Sequence, residues 1–419
     1  MFQNSGLSLN QAPPIEVVLR LFLIGSLFGI ALSFMLFFWH DNLSDISHPT
    51  TLTIVHTLTL GVMASFMLGA LFQMMPVLCG VHIKAPIDLS VRVSFTLMFG
   101  VIILIFAFLK GESSLYIIAS ILIAFALFSS TFVMIKELLK IKHSNSSRGM
   151  LIALSSLVIT IILALILVSM RVGIDIPLNY INLKSIHFSF GLFGWIAILI
   201  ISVSFQVVEM FYVTPKYSNK YAKFTPLFIF GLLLIYMALQ ILGYNLAKYI
   251  LNIILILLAI YALITVDKLK KKKRPINDAS ILFWYIGMSS LLLFALLGFL
   301  NISTLVTALF FTSFALSIMF AMSYKIVPFL VWFHLNAKGY FDAPMMHEVI
   351  SPKYAKINFY IHTLALITTL IAIKFSIIFY FGSFLLLVSF SMLSYAIYGA
   401  WEKYDWTLRN GKKFNLNIN

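Results

Sequence analysis

Long uncharged runs dominate this chain, and each is about as long as a helix needs to be to cross a bilayer. Apolar windows of roughly 20 residues fall near 17–39, 50–75, 90–109, 115–135, 149–170 and 183–212. Six more fall near 224–244, 246–266, 280–300, 302–324, 357–373 and 376–400. The narrowest separations are the turns Gly243-Tyr244-Asn245 and Leu300-Asn301-Ile302. Only 10% of the residues are charged and 61% are hydrophobic, whereas soluble domains carry about 25% charge. The expected fold class is therefore an all-α polytopic membrane protein with twelve transmembrane helices. The first apolar run is long enough to span and no basic stretch precedes it, so a cleaved leader is not expected. The lone Cys79 offers neither a disulfide framework nor a thiolate metal cage.

The net charge of +15 suggests nucleic acid in a soluble protein, but here the alternation of loops explains it. With the N-terminus placed in the cytoplasm, 24 of the Lys and Arg residues fall on the inside and five fall outside: Lys110, Arg171, Lys184, Lys248 and Lys374. That asymmetry is what the positive-inside rule requires. It predicts cytoplasmic termini, lipid as the principal partner and no nucleic acid. The run KLKKKKR at 268–274 reads as an anchor beside anionic headgroups.

Three spans repeat a pattern. Span 2 ends LGALFQMMPV, span 6 runs HFSFGLFGWIAILIISVSFQVVEMF, and span 10 reads ALFFTSFALSIMFAMSYKIVPF. Each finishes with a polar residue among bulky apolar ones, matched here as Gln73, Gln206 and Tyr324, with Pro76 and Pro328 following in two of them. The expected organisation is one transmembrane domain of three four-helix units, about 1–145, 146–275 and 276–405, with a cytoplasmic tail at 406–419.

The histidines sharpen the repeat. His56 lies 17 residues before Gln73 and His187 lies 19 before Gln206, which places both at similar depth toward the outer leaflet. The third unit offers only Leu305, Val306 and Thr307 there. An ionisable side chain inside a membrane is costly and tends to be functional, and a neutral imidazole suits heme iron or copper. Gly191 and Gly194 share the face of His187 and permit either close helix packing or a flat macrocycle. Met63 and Met67 share the face of His56, where they read as core filler or as soft ligands for Cu(I).

The stretches HTLTLGVMASFMLGALFQMMPV (56–77) and HFSFGLFGWIAILIISVSFQ (187–206) resemble the heme–copper oxidase subunit I superfamily. Within it they are most similar to the non-oxidase branch of NnrS-type heme- and copper-containing membrane proteins. The resemblance implies three four-helix arcs in a pseudo-threefold ring within a bacterial inner membrane, with His56 as a heme ligand and His187 as its counterpart in span 6. It implies heme b, with copper as a second candidate, and a cytochrome or other respiratory subunit as partner. Arg171 and Lys184 then become candidates for pairing with heme propionates, their bland role being interfacial anchoring. His40 and His48 become a metal inlet or propionate donors, against the favoured reading of solvated interfacial histidines. His82, His143, His334, His347 and His362 read as structural groups of the inner side, and 325–356 as one long loop.

The sequence also departs from that family. Span 7 has no His-His pair and span 10 has no histidine, so a three-His copper site cannot be assembled and the standard oxygen-reducing mechanism is not expected. What remains is a heme-binding membrane protein for electron transfer, gas sensing or nitric oxide stress. If it is an enzyme, it is a membrane oxidoreductase. The alternatives are a twelve-helix Cu(I) or small-solute transporter running past His48, His56, Met63 and Met67, and a scaffold that keeps the fold without the chemistry.

Overall fold

In a bilayer every backbone N–H and C=O must be satisfied within its own segment, which leaves helices as the economical answer for runs this apolar. The computed structural model describes residues 12–273 and 276–413. Among them, 12 helices are long and apolar enough to cross a membrane. They are α1 (Ile15–Trp39), α2 (Pro49–Cys79), α3 (Pro86–Lys110), α4 (Ser113–Leu138), α5 (Asn145–Arg171) and α6 (Tyr180–Tyr212). After these come α7 (Asn219–Ile241), α8 (Ala247–Lys270), α9 (Ala279–Phe299), α10 (Thr304–Ala337), α11 (Pro352–Ala372) and α12 (Ile378–Asn410). The chain is an all-α, multi-pass membrane protein. Residues 1–11, Arg274 of the basic run, and 414–419 of the expected tail lie outside the described residues.

Capping fixes the helix ends. Ser144, Ser218, Asp278 and Ser351 each accept a backbone N–H from the first turn of α5, α7, α9 and α11, as N-cap side chains do. Gly80 and Gly111 end α2 and α3 at φ of 68° and 72°, a left-handed conformation in which glycine has no Cβ penalty.

Two helices are longer than their apolar windows. α10 continues to Ala337 because Ile326, Val327, Leu330, Val331 and Leu335 keep a buried face at helical spacing. The expected loop at 325–356 therefore starts as helix, and His334 sits on it. α12 likewise runs to Asn410, with Ala400, Tyr404 and Thr407 buried, so the expected tail begins as helix.

The helices pack in three equivalent groups of four. In each group the first packs on the third and the third on the fourth, and the fourth meets the first helix of the next group. Thus α4 lies on α5, α8 on α9, and α12 on α1, which closes a ring of nine. The second members, α2, α6 and α10, stand inside. Their apolar windows are 89%, 78% and 61% buried, while no other span exceeds 50%.

The inner helices meet around a small axial cavity that fixes their register. Phe66, Met67 and Ala70 of α2, Leu199, Ile200 and Val203 of α6, and Ile318, Met319 and Met322 of α10 all line it. Aligning these triplets puts Gln73, Gln206 and Lys325 in one position and Pro76, Glu209 and Pro328 in the next. The third match is thus Lys325, one residue beyond the Tyr324 expected from sequence. Tyr324 turns away from the axis, and its hydroxyl accepts from Asn358 Nδ2 of α11 at 2.5 Å.

Candidate functional site

The two histidines singled out by sequence sit where α2 and α6 change their winding. Thr57–Ala64 and Phe190–Ala197 are π-helical, eight residues each. Both stretches begin sixteen residues before the matched glutamines, Gln73 and Gln206. π-Helical turns are rare and occur frequently at functional sites. α10 has none at the equivalent place and is α-helical throughout.

α2 starts at His48, whose Nδ1 accepts the Thr50 N–H at 3.3 Å and lies 2.7 Å from the Thr50 hydroxyl. His48 is thereby an N-cap, with Pro49 at the first helical position. Two turns on, His56 Nδ1 lies 2.8 Å from the Leu52 carbonyl. His187 Nδ1 lies 3.1 Å from the Thr160 carbonyl on α5. A carbonyl can only accept, so both rings carry their proton on Nδ1 and present an Nε2 lone pair. Neither Nε2 has a hydrogen-bond partner among the described residues. Both rings are half-buried.

The wall beside His56 is aromatic. Phe108 packs on the imidazole with ring centres 4.9 Å apart, and Tyr116 meets Phe108 edge-on at 5.6 Å. Arg171, at the end of α5, lies 5.0 Å over the Tyr116 ring, within cation–π range. Leu52 and Leu60 of α2 and Val168 of α5 pack against the same cluster. The α3–α4 pair therefore links the helix carrying His56 to the helix that orients His187.

The other expected site residues are distributed as follows. Lys184 Nζ donates to Ser47 Oγ at 2.8 Å, tying α6 to the loop before α2. At Gly194 an added Cβ would stand 2.7 Å from Ser156 Cβ, so this glycine allows α5 and α6 to pack closely. Gly191 is open, and its nearest such neighbour is Thr160 Cγ2 at 3.6 Å. Met63 and Met67 are buried, and Met67 lines the axial cavity.

Several polar groups are placed differently from the sequence reading. His40, expected to be solvated, is 6% exposed and stacks on Phe379 with centroids 4.9 Å apart. His362, expected at an inner helix end, is ten residues into α11 and fully buried between Phe320 and Phe283. Its Nε2 is 3.4 Å from Ser317 Oγ and its Nδ1 has no partner among the described residues. Gln73, expected where polar groups are cheap, is 2% exposed with Oε1 unpartnered among the described residues. Apolar spacing reports which residues are embedded but not which helix covers them, so these depths had no signal in the chain.

At the lysine-rich end, Lys325 Nζ donates to Asp278 Oδ2 at 2.5 Å, and the Ser280 hydroxyl donates to Oδ1 at 2.6 Å. Tyr212 donates to Ser280 at 2.9 Å, which joins α6, α9 and α10. Partial burial pushes the Asp278 carboxyl up, but Lys325 and Ser280 outweigh it and hold it below the usual carboxylate range.

No group of three or more His, Cys, Asp or Glu side chains among the described residues is arranged to hold a metal ion. Comparison of the chain with protein-family models and with curated protein sequences gives no match.

Proposed function

We propose that this membrane protein holds a heme through His56 and His187, at the end of the bundle that faces away from the cytoplasm in a bacterial inner membrane. The observation that carries this reading is the pair of Nδ1–carbonyl bonds, which aim two unpartnered Nε2 lone pairs from equivalent helices. Metal-binding histidines generally tie their second nitrogen down in this way.

A b-type heme suits a two-imidazole site better than a bare metal ion does. The macrocycle would bring four nitrogens of its own, so the protein would need to supply no more than His56 and His187. A copper ion would have to complete its sphere without a third His, Cys, Asp or Glu. At Gly191 no atom but Thr160 Cγ2, at 3.6 Å, would meet an added Cβ, and Arg171, on the Tyr116 ring of the aromatic wall, would be the cation for a carboxylate of the group. The bound heme would supply one-electron chemistry, or a gas-binding iron where only one of the two imidazoles holds it. The chain's own residues hold the imidazoles in one tautomer and line one wall with Phe108 and Tyr116. With no histidine on α7, and on α10 only His334 in its last, inward turn, the standard oxygen-reducing site is not expected, and the reading is limited to electron transfer, gas sensing or a nitric oxide stress role.

The test is the visible spectrum of the purified protein, oxidised and reduced, beside metal analysis. A Soret band lost in both His56→Ala and His187→Ala, with iron lost in parallel, is the expected result. A colourless protein carrying one copper would move the assignment to Cu(I) binding. A colourless, metal-free protein that is properly folded would overturn it.

A further inference from the structure

The axial cavity is separate from the histidines. Its lining begins ten residues inward of His56 at Phe66 and twelve inward of His187 at Leu199, about 15–18 Å along a helix rising 1.5 Å per residue. Its volume is about 70 Å³. A water molecule's share of liquid volume is roughly 30 Å³, and an engineered cavity of about 150 Å³ accepts benzene. The axial space therefore fits one molecule of diatomic size or one xenon atom, and excludes a ring.

Its chemistry is as restrictive as its size. The wall is almost wholly apolar, and Ser204 supplies the only hydroxyl. That hydroxyl is already engaged: it donates to the Ile201 carbonyl at 2.7 Å and accepts from Tyr261 at 3.0 Å. The Trp284 N–H, unpartnered among the described residues, is at most one donor. Water needs two to four polar partners to settle in such a space, so an apolar occupant is favoured.

The fold provides both the space and its adaptability. Ala70, Val203 and Met322 occupy equivalent positions on the three inner helices, and all three are partly accessible while the residues beside them are buried. Met67, Met319 and Met322 bring flexible, polarizable side chains that reshape around small guests.

We propose that this cavity, on the pseudo-threefold axis, binds one small apolar molecule of diatomic-gas size taken up from the hydrocarbon core of the membrane. The inference does not rest on heme ligation by the histidines.

Xenon is the probe. Crystals of the full chain, pressurised with xenon, are expected to show one anomalous peak on the axis between Met67, Met319 and Met322. Ala70→Leu and, separately, Val203→Phe fill the space and should abolish that peak. Both variants should keep the gel-filtration volume and helical content of the parent. Because the two substitutions sit on different helices, one misfolded variant leaves the other as the test. No axial peak in the parent, ordered water in the cavity, xenon confined to lipid-facing surfaces, or a peak that persists in a folded filled variant would each overturn the proposal.

Discussion

Gly191 and Gly194 lie one turn apart on α6, and substituting alanine at each should separate packing from cofactor binding. At Gly194 the new methyl would stand 2.7 Å from Ser156 Cβ and 3.3 Å from Leu233 Cδ1. The first distance is about 1 Å inside ordinary contact. Both Cβ atoms are fixed by helical backbones, so no rotamer change relieves the overlap and α5 must move from α6. Overpacking of this kind costs about 1–3 kcal/mol, offset by the roughly 1 kcal/mol that alanine gains over glycine within a helix. The net expectation for Gly194→Ala is a loss of up to about 2 kcal/mol, recovered in large part by adding Ser156→Gly. At Gly191 nothing lies closer than 3.6 Å, so Gly191→Ala should be neutral or slightly stabilising. If a heme lies on that face, however, the new methyl should weaken heme retention. The assay is thermal unfolding in detergent, followed by gel filtration, with the Soret absorbance recorded on the same samples. Equal destabilisation by both substitutions, or no rescue by Ser156→Gly, would refute the reasoning.

Asp278→Asn keeps a good N-cap for α9 but removes the ion pair with Lys325, at a cost of about 1 kcal/mol for a pair this accessible. Because the folded carboxyl is held below its ordinary value, its contribution is complete above the unfolded value of about 4. It disappears as pH falls through the lower folded value, so parent and variant should converge in thermal midpoint at strongly acid pH. His362→Leu removes the long Nε2 contact with Ser317 together with an Nδ1 that has no partner among the described residues, and because these oppose each other stability should change little; a loss above about 2 kcal/mol in the same melt would assign Nδ1 a bond. Gly29→Ala would place a Cβ 2.1 Å from Phe390 Cδ1 and should cost about 2–3 kcal/mol or more, read from the melt and checked by rescue with Phe390→Leu.

Much of the architecture could be read from the chain because bilayer thickness dictates the length of each apolar run. The positions of His56 and His187 were equally legible, since their distance from Gln73 and Gln206 is a matter of counting. Counting failed in the third unit, where Tyr324 looks like the polar match. Pro328 was already matched to Pro76, and the shared cavity shows that Lys325, three residues before it, holds the polar position. What orients the imidazoles was partly hidden: Leu52 is local to His56, but Thr160 lies 27 residues from His187 on another helix. The aromatic wall of Phe108 and Tyr116 has the same character, being built from α3 and α4 with nothing in their apolar spacing to mark it. Burial of His40 against Phe379 joins residues from opposite ends of the chain, a pairing that no local pattern encodes.

The closure of α12 onto α1 also bears on biogenesis. During synthesis α1 enters the membrane well before α12, its eventual neighbour, has been made. Until then the shallow groove at Gly29 faces lipid, with the Phe390 side chain that will fill it not yet translated. Completion of the barrel-like outline is therefore deferred until α12 inserts. A chain truncated before residue 378 should persist as an open arc, with α1 free to seek another molecule's α12.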